Sequence, residues 1–379
     1  MNATSGGAGG SDSRVRIRRY DPRDRADVLA LDEVVWDRTR SESWFAWKYE
    51  ENPYITEPPV FLALADGRVV GARPFMAFRL RAGDTTLSAL QPSDTMVHPD
   101  YRGRGIFTRM TEAAIAHYED RTPELCFNFP NEQAWPGYEK LGWRAVDEQQ
   151  TYYRIQNPTA FTGSTLDGQL TKHASRVANP AARTLLSLWT RVGLSPEAFT
   201  VEVESGAPVE TLTTLYRREI PEQIHASRDE AFYRWRFASP VWSRRTYVAT
   251  ENGTQVAGLV ARTRTTEAGI TLTQIVEVVP LAGGRRRSAA LACLLDRVVA
   301  DHVDSDVLAA TEGALPDDLL VRSGFFPDDR LPLSRFTDHR STFAVRPLGD
   351  LNEDAWTVND YRLTDTSNWL LSFCERDTT

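Results

Sequence analysis

Short apolar runs separated by polar turn residues fill the first third of the chain. Residues 60–75 read VFLALADGRVVGARPF, and the Asp-Gly pair between two apolar runs predicts a β-hairpin. The next apolar run, Leu87–Val97, predicts another strand. Pro92 within it indicates a bulge or an edge position, because proline cannot donate a hydrogen bond to a neighbouring strand.

A helical pattern follows this strand. One helix face is predicted from residues at three- and four-residue spacing: Ile106, Met110, Ala113, Ala114 and His117. Residues 124–129, ELCFNF, then predict a short buried strand, and a further helix is predicted to end near Gly142, a natural C-cap. The alternation of elements predicts the α/β (α+β) class, with helices flanking a mixed, mostly antiparallel sheet.

The same succession of segments occurs twice along the chain. The first copy comprises Trp44–Tyr54, Phe61–Gly71, Met96–Phe107 and Tyr138–Trp143. The second comprises Phe232–Pro240, Tyr247–Gly258, Glu277–Ser288 and Val321–Phe326. The spacing agrees, since Trp47 and Gly71 are 24 residues apart and Trp235 and Gly258 are 23 apart. A long-range repeat of this kind predicts two domains of one fold in tandem.

The repeat sets the expected domain boundaries. We predict a flexible tail over residues 1–13, an N-terminal domain over 14–155, a linker over 156–200, and a C-terminal domain with its tail over 201–379. The linker is predicted to contain an amphipathic helix around residues 185–189. In the tail, Trp356, Tyr361 and Trp369 are predicted to anchor the chain on a neighbouring domain.

Composition excludes several classes of protein. The formal net charge of -8 argues against a general nucleic-acid surface, which needs a basic stripe. No apolar run is long enough to span a membrane, and the Gly/Ser-rich start has no apolar signal region, so we expect a cytoplasmic protein. Three separated cysteines and six histidines without ligand spacing predict neither a disulfide framework nor a metal site. The oligomeric state is left open.

Residues 97–110, VHPDYRGRGIFTRM, are the strongest candidate for chemistry. Glycines alternate with arginines between a predicted strand and a predicted helix. The first amides of a helix lack partners inside the helix, and glycine lets an anion approach the backbone closely. Arg102 and Arg104 can add charge-assisted contacts. The turn therefore predicts an anion site. The alternative is a surface loop with solvated arginines, which would show the same sequence pattern.

This turn resembles the acetyl-CoA motif of the GNAT superfamily of N-acetyltransferases, Arg/Gln-x-x-Gly-x-Gly/Ala. Arg102 and Gly105 match its first two fixed positions, and Phe107 departs from the usual small residue at the third. The resemblance implies two GNAT-like domains in tandem, with acetyl-CoA as co-substrate. The residues it assigns to the coenzyme are Met96, Val97, Arg102, Gly103, Arg104, Gly105, Ile106 and Phe107.

A second segment supports the resemblance. Residues 131–143, NEQAWPGYEKLGW, are similar to the family's N-x-x-A-x-x-x-Y-x-K-x-G-F/W segment. The resemblance assigns Tyr138 as the acid that protonates the leaving thiolate and places Asn131 near the thiol end of the coenzyme. A phenol near the sulfur suits this chemistry, because amine attack on a thioester expels a thiolate. Packing of Tyr138 in the core is the alternative.

The general base and the acceptor contacts are less defined. Asp94 precedes the turn and is a candidate base, with His98 as another; Asp94 can equally be a structural carboxylate, and a dedicated base can be absent. Trp44, Glu50 and Glu51 are candidate contacts for a small-molecule or peptide amine. Trp47 is interpreted as structural, because Trp235 repeats it in the second copy.

The second copy departs from the motif. Aligning Pro99 with Pro280 puts Arg286 at the position of Gly105, and Leu319 or Leu320 replaces Tyr138. We therefore predict a C-terminal domain that keeps the fold and has lost the acetyl-CoA chemistry. The arrangement resembles the first two domains of enhanced-intracellular-survival type acetyltransferases. Two alternatives are a non-catalytic acyl-CoA-binding or scaffold module and a tandem aminoacyl or peptidyl transferase.

Overall fold

The computed structural model describes residues 15–157, 198–313, 315–329 and 341–377. The predicted N-terminal tail and the predicted linker helix around residues 185–189 lie outside these ranges. No helix of the described part is long and apolar enough to cross a lipid bilayer.

The first half of the chain forms eight strands and four helices within the described ranges. The strands are β1 Arg16–Arg19, β2 Val60–Ala65, β3 Arg68–Ala82, β4 Thr85–Pro92, β5 Met96–Val97, β6 Leu125–Asn128, β7 Arg144–Gln149 and β8 Thr151–Ile155. The helices are α1 Arg25–Trp36, α2 Glu42–Phe45, continued by a π-helical turn Ala46–Glu50, α3 Ile106–Tyr118 and α4 Trp135–Lys140.

The second half repeats this order. The strands are β9 Thr200–Ser205, β10 His225–Ala226, β11 Ser243–Glu251, β12 Thr254–Thr265, β13 Thr271–Val279, β14 Val307–Thr311, β15 Phe326–Pro327, β16 Ser341–Pro347, β17 Thr357–Val358 and β18 Tyr361–Arg362. The helices are α5 Val209–Arg218, α6 Glu230–Arg236, α7 Arg285–Asp301 and α8 Asp317–Arg322.

The predicted α/β class and the two sheet-containing domains are confirmed. The N-terminal sheet has the order β1-β2-β3-β4-β6-β16-β7, and β5 and β10 also pair with β3. The C-terminal sheet has the order β15-β8-β14-β13-β12-β11-β9. In each sheet all neighbours are antiparallel except one parallel pair, β4 with β6 and β13 with β14. Helices α1 and α3 both pack against β3.

The two sheets exchange their last strands. β8 directly follows β7 in the chain, yet it pairs with β14 and β15 of the C-terminal sheet. In return, β16 inserts between β6 and β7 of the N-terminal sheet. The predicted division near residue 155 follows the chain, whereas the hydrogen bonds of the sheets cross it. Each domain therefore depends on the other half of the chain to complete its sheet.

Local signals in the sequence correctly predicted the turns. Asp66 and Gly67 have positive φ values of 50° and 79°, and Asn252 and Gly253 have 50° and 75°. These are the left-handed conformations that a two-residue hairpin turn requires. The predicted C-cap is also confirmed, since Gly142 has a φ of 89° and Trp143 donates its amide to the carbonyl of Tyr138.

The C-terminal tail folds back on the N-terminal domain, as predicted. The Trp369 ring lies 4.9 Å from that of Phe343 and 6.4 Å from that of Phe127. Trp356 is 2% exposed beneath the guanidinium of Arg144, 4.0 Å above its ring. The tail thus adds apolar cover to the N-terminal sheet and brings residues up to Asp377 to the junction of the domains.

Trp47 and Trp235 join the two domains through a pair of reciprocal hydrogen bonds. Trp47 donates from Nε1 to the carbonyl of Trp235 at 2.6 Å, and Trp235 donates from Nε1 to the carbonyl of Trp47 at 2.9 Å. Their rings stack with centroids 6.4 Å apart. The symmetry of these contacts places the pair where the two copies of the repeat meet, and the structural interpretation of Trp47 is confirmed.

Candidate active site

The strands of the N-terminal sheet part beside a bulge. β4 and β6 pair over two residues only, and Leu90 opposite Cys126 is the last pair. The predicted bulge follows Pro92 and is centred on Asp94, which has a positive φ of 40°. Beyond it, Met96 and Val97 pair with β3 along one edge, and no strand in the described ranges pairs with their other edge. Their backbone polar groups therefore face a V-shaped opening.

The glycine-arginine turn lies at one end of this opening. Gly103 and Gly105 have φ values of 73° and 68°, and a Cβ added to either would meet no atom within 4 Å. In the part of the chain that is described, the amides from Gly103 to Thr108 donate no hydrogen bond to another residue. Open amides at the start of the 13-residue helix α3 fit an anionic group such as a pyrophosphate.

The two arginines of the turn each donate a hydrogen bond to a nearby backbone carbonyl. Arg102 donates from Nε to the carbonyl of Val97 at 3.2 Å, and Arg104 donates to the carbonyl of Asp100 at 3.0 Å. Both side chains are exposed. Their remaining N–H groups are free to approach a ligand on the turn, so the predicted role of the arginines is compatible with their placement.

Tyr138 lies on α4 with its hydroxyl at the bulge. The ring is 6% exposed, and the hydroxyl accepts a hydrogen bond from Nη1 of Arg73 at 2.8 Å. The same Nη1 donates to the hydroxyl of Thr95, beside Asp94, at 2.6 Å. Because the phenolic oxygen accepts from Arg73, its own proton is free to be directed at another group.

Arg73 is a functional candidate that the sequence analysis missed. It lies on β3 and is fully buried, with its guanidinium stacked on the rings of Phe107 and Tyr138 at 4.9 and 5.0 Å. Its Nε and Nη2 have no hydrogen-bond partner, and it has no ion pair within the described ranges. A buried cation without a carboxylate is costly. The sequence signal that could have identified Arg73 is its position as a charged residue in a run of apolar strand residues.

A second buried polar atom without a partner is on the same face of the sheet. Asn128 ends β6, is 2% exposed, and its Oδ1 has no hydrogen-bond partner among the described residues. Asn128 is two residues from Cys126, which packs in the same cluster as Tyr138, so the side chains share a face. Unpaired polar atoms on both sides of the opening fit a polar ligand between them.

Phe107 packs against α4. Its ring lies 5.5 Å from that of Tyr138 in an edge-to-face arrangement, and a Cβ on Gly137 would stand 3.0 Å from it. The departure of Phe107 from the family pattern is thus accommodated by a glycine one residue before Tyr138. Phe107 closes one side of the guanidinium of Arg73 and excludes water from it.

Asn131 and His98 serve as caps. Asn131 is exposed, and its Oδ1 accepts from the amide of Ala134 at 2.9 Å at the start of α4. Nδ1 of His98 accepts from the amide of Asp100 at 3.3 Å. The role of Asn131 near a coenzyme thiol stays a prediction, as does that of His98 as a base.

Asp94 accepts hydrogen bonds from two cations and a tyrosine. Lys48 donates to it at 2.5 Å, Tyr49 at 2.6 Å and Arg38 at 3.0 Å. Burial alone would raise the pKa of this carboxyl, but Lys48, Tyr49 and Arg38 together hold the pKa below its ordinary value. Asp94 is therefore an ionised acceptor, which favours the structural alternative. Its role as general base remains a prediction.

The candidate acceptor contacts do not form one group. Trp44 is 2% exposed and lies between Arg40 and Lys48, 4.6 and 5.0 Å from its ring. Glu50 accepts from Tyr20 at 2.6 Å and from Arg25 at 2.7 Å, while Glu51 is exposed. Two of the three are thus engaged inside the domain.

The hairpin turns allow the two domains to be aligned by structure. Ala63 pairs with Gly71 just before a register shift, and Ala249 pairs with Ala257 just before the corresponding shift. Gly71 therefore corresponds to Ala257, one residue away from the Gly258 that the sequence comparison suggested. In this register Leu259 is the counterpart of Arg73, and it is fully buried in an apolar cluster.

The counterpart of Tyr138 follows from the helix caps. Phe325 donates its amide to the carbonyl of Leu320, as Trp143 does to Tyr138, and Gly324 has the same left-handed conformation as Gly142. Leu320 thus replaces Tyr138. Leu259 and Leu320 belong to one apolar cluster, so the C-terminal domain holds two leucines where the N-terminal domain holds the arginine and the tyrosine.

The turn of the second domain is shorter. Eight residues, 98–105, connect β5 to α3, but only five, 280–284, connect β13 to α7. Gly284 precedes α7 as Gly105 precedes α3, with a φ of -89° that any residue adopts. Arg286 therefore lies in the first turn of the helix, where it pairs with Glu251 at 2.6 Å. The alignment of Arg286 with Gly105 was wrong by two residues because the loops differ in length.

Asp94 also has a counterpart. Three residues lie between Pro92 and Met96, and three lie between Ile275 and Val279, where the second ladder shifts its register. The middle residue of the second three is Glu277, which pairs with Val260, is 1% exposed and accepts from Nε of Arg228 at 2.9 Å. A buried carboxylate paired with a cation thus occurs at the bulge of both domains.

The N-terminal domain matches one family model by sequence. Residues 16–146 match the family model described as "Acetyltransferase (GNAT) domain". This part of the chain is therefore similar to GNAT acetyltransferase domains. No curated protein matches the sequence of the chain.

Several solved structures have a similar fold. A GCN5-related N-acetyltransferase from Anabaena variabilis has a TM-score of 0.59 at 10% identity, covering 89% of this chain and 73% of that one. A tandem GNAT protein from the clavulanic acid biosynthesis pathway has a TM-score of 0.53 at 14% identity, covering 89% and 100%. Saccharomyces cerevisiae N-myristoyltransferase, solved with myristoyl-CoA, has 0.58 at 11% identity, covering 90% and 80%. At these identities the likeness concerns the fold.

Proposed function

We propose that the N-terminal domain is an acetyl-CoA-dependent N-acetyltransferase that acts on a primary amine. The observation that carries the proposal is the buried hydroxyl of Tyr138, held at the bulge by Arg73 at 2.8 Å. This hydroxyl lies beside the V-shaped opening, and the open amides of residues 103–108 lie at the end of it. A coenzyme anchored on the turn and extended along Met96 and Val97 would bring its thioester to Tyr138.

The acetyl group is transferred by direct attack of the amine on the thioester. The amine nitrogen bonds to the thioester carbonyl carbon, the carbon–sulfur bond breaks, and the sulfur leaves as a thiolate. Tyr138 gives its proton to that thiolate, and the proton lost by the amine returns to the phenolic oxygen through solvent. Proton donation to a leaving group of this kind contributes about 10² to 10⁴ in rate.

Arg73 is a positioning residue for this step. Its Nη1 occupies one lone pair of the phenolic oxygen, which orients the proton away from Arg73. Its positive charge, buried against Phe107 and Tyr138, opposes the charge that develops on oxygen as the proton leaves. Burial strengthens this interaction relative to water.

Asp94 stabilises the bulge in this proposal and does not act as base. Its carboxylate is occupied by Lys48, Tyr49 and Arg38, and the C-terminal domain keeps a carboxylate at the same position. The amine then reacts in its neutral form. We therefore expect turnover to rise with pH up to the pKa of the acceptor amine.

Thermal unfolding with acetyl-CoA, followed by a coenzyme A release assay on a panel of amines, tests the proposal. A ligand that binds only the folded state raises the Tm, by an amount that grows with its concentration. We expect a rise with acetyl-CoA in the wild type and its loss in Gly105→Arg. An unchanged Tm at saturating acetyl-CoA would refute the proposal.

A further inference from the structure

A cavity of about 480 Å³ lies in the N-terminal domain at the end of α3. Its walls are formed by the last residues of this helix, by parts of β3 and β4, and by the loop 53–57 that precedes β2. Cavities that hold small molecules measure roughly 300 to 1,000 Å³. No residue that we assign to the coenzyme, the acceptor or the reaction lines this cavity. It is therefore a second candidate site, separate from the one beside Tyr138.

The cavity and the glycine-arginine turn are at opposite ends of α3. The turn precedes Ile106, the first residue of the helix, whereas His117 and Tyr118 at its end line the cavity. A helix of 13 residues is about 20 Å long. A small molecule in the cavity is therefore too far from the turn to contact it.

The charged side chains that line the cavity are mostly basic. Arg19, Arg79 and Arg121 are among the lining residues, against the one carboxylate of Glu57. This excess of positive charge contrasts with the formal net charge of -8 of the whole chain. The end of α3 contributes roughly half a negative charge, which the arginines outweigh. Because cations that line a concave surface attract anions, the cavity favours an acidic ligand.

Among these arginines, Arg121 lacks a carboxylate partner in the described ranges. Arg79 pairs with Asp229 at 3.1 Å. Arg19 pairs with Glu57 at 2.5 Å. Arg121 follows the end of α3, is exposed, and forms no ion pair with any residue that the structure describes. An acidic group that enters the cavity can therefore bind Arg121 without displacing another carboxylate.

Arg19 can exchange its carboxylate for that of a ligand. The side chain of Glu57 is 69% exposed, and an exposed ion pair adds little to stability. The Nε of Arg19 is buried and has no hydrogen-bond partner among the described residues. One N–H group of Arg19 is therefore unused, and another is held by a partner that is easily replaced.

His117 connects Arg19 to the end of α3. Its Nε2 lies 3.3 Å from Nη1 of Arg19. Arg121 follows four residues later, and its amide donates to the carbonyl of Tyr118 at 3.1 Å in the turn that ends the helix. Arg121 is thus one turn of backbone from the contact between His117 and Arg19, and all three side chains line the same cavity. Both arginines are therefore available to one acidic group.

Apolar side chains form another part of the wall. Tyr54, Ile55 and Leu90 line the cavity. The ring of Tyr54 is fixed, because its hydroxyl donates to Asp229 at 2.9 Å and the guanidinium of Arg79 lies 5.1 Å from the ring centre. Aromatic groups pack favourably against such a ring. We therefore expect a ligand that has an aromatic body as well as an acidic group.

We propose that this cavity binds a small aromatic compound with one acidic group, a carboxylate or a phosphate. The acidic group contacts Arg121 and Arg19, where it replaces the carboxylate of Glu57, and the aromatic body packs on Tyr54. Arginine suits this role, because its planar guanidinium binds carboxylate and phosphate oxygens in pairs. The inference goes beyond the proposed function and does not depend on it, because no residue of the proposed reaction lines the cavity.

Pairs of aromatic compounds that differ in the acidic group test the inference by isothermal titration without acetyl-CoA. Naphthoate is compared with naphthamide, and naphthyl phosphate with naphthol, while acetate and inorganic phosphate test the acidic groups alone. We expect one aromatic acid to bind about tenfold or more tightly than both its neutral partner and its small anion. The acid that shows this preference identifies the acidic group. If neither aromatic acid shows it, the inference is overturned.

Variants locate the binding site. Arg121→Gln and Arg19→Gln should each weaken binding of the preferred acid by about tenfold, the worth of one charge-assisted contact. Glu57→Gln removes the carboxylate that competes for Arg19 and should strengthen binding by about threefold. A general loss of structure cannot produce these opposite effects.

Arg285→Gln is the matched control for the arginine variants. Arg285 is an exposed arginine on α7, in the other domain, so this variant should bind the preferred acid as the wild type does. Unchanged affinity in both Arg121→Gln and Arg19→Gln would contradict the assignment of the acidic group to these two residues.

Competition with acetyl-CoA separates this cavity from the proposed coenzyme site. Saturating acetyl-CoA should leave the preferred acid bound, and Gly105→Arg should bind it like the wild type, since the turn lies about 20 Å away. Displacement by acetyl-CoA, or loss of binding in Gly105→Arg, would place the acid in the coenzyme site and refute the inference. If the acid binds and acetyl-CoA does not, the cavity stands as a site and the proposed function fails.

Discussion

Arg73 donates a hydrogen bond from Nη1 to the hydroxyl of Tyr138 across 2.8 Å, and the C-terminal domain holds Leu259 and Leu320 at these two positions. The arginine and the tyrosine are separated by 65 residues and meet only because β3 and α4 face the same bulge. Both leucines are fully buried. The chain thus contains a polar and an apolar version of one site.

Replacement of the tyrosine tests its role as proton donor. Tyr138→Phe removes the hydroxyl and keeps the ring that packs on Phe107 and Trp143. We expect kcat to fall by about 10²-fold or more, since the thiolate must leave without a proton donor. The rise in Tm with acetyl-CoA should be retained. Leu320→Met, at the corresponding position of the other domain, is the control, and wild-type turnover in Tyr138→Phe would remove Tyr138 from the mechanism.

Arg73→Leu gives the N-terminal domain the residue type that the C-terminal domain has at this position, Leu259. Because Arg73 is a buried cation without a carboxylate in the described ranges, an apolar residue should leave the Tm unchanged or raise it. Turnover should nevertheless fall by about tenfold to a hundredfold, the worth of one hydrogen bond to a charged group.

Steady-state kinetics and thermal unfolding of Arg73→Leu check this together. Leu259→Met, in the second domain, should change neither quantity by much, since the two side chains have similar volume. A variant that is less stable and equally active would show that Arg73 supports the fold and not the reaction.

The glycine turn is expected to be the coenzyme anchor of the N-terminal domain only. Gly105→Arg forces a side chain into a conformation with φ of 68° and places it where the backbone would meet a phosphate. Isothermal titration should then detect no acetyl-CoA binding. Arg286→Gly should bind like the wild type, because Arg286 lies in a helix beside Glu251; weaker binding in this variant would place the coenzyme in the other domain.

The carboxylate of the bulge is expected to matter for stability. Asp94→Asn leaves Lys48 and Arg38 beside a neutral group, which we expect to lower the free energy of unfolding by about 3 kcal/mol. Because Lys48, Tyr49 and Arg38 hold the pKa of Asp94 below its ordinary value, the stabilisation is present above that ordinary value. It is lost as the pH falls through the lower pKa of the folded state.

Urea unfolding from about pH 7 down to about pH 3 compares Asp94→Asn with the wild type. The difference in free energy of unfolding between the variant and the wild type should become smaller at the acidic end of this range. Glu277→Gln provides the parallel change in the C-terminal domain, where Arg228 would lose an acceptor. A kcat that falls by about 10²-fold in Asp94→Asn at unchanged stability would instead identify Asp94 as the base.

The sequence predicted the local elements because their signals are local. The Asp66–Gly67 and Asn252–Gly253 turns, the bulge after Pro92 and the cap at Gly142 each depend on a few adjacent residues. The repeat also predicted Trp47 as structural. The fold class followed from the order of these elements.

Signals from adjacent residues could not predict the exchange of β8 and β16 between the sheets. They also could not predict the contact between Arg73 and Tyr138. Gln150 alone separates β7 from β8, and nothing in either strand says which sheet it joins. In the sequence, Arg73 is one charged residue in an apolar strand. Its contact with Tyr138 depends on how α4 packs on the sheet. Arg286 was misaligned for a similar reason, because the length of the second turn depends on where α7 begins.

The central claim is that one chain has one working acyl-CoA site, in its N-terminal domain. The number of acetyl-CoA molecules bound per chain, measured by isothermal titration of the wild type, tests this directly. We predict about one per chain, reduced to zero in Gly105→Arg and unchanged in Arg286→Gly. Two binding sites per chain, or one that survives Gly105→Arg, would contradict the claim.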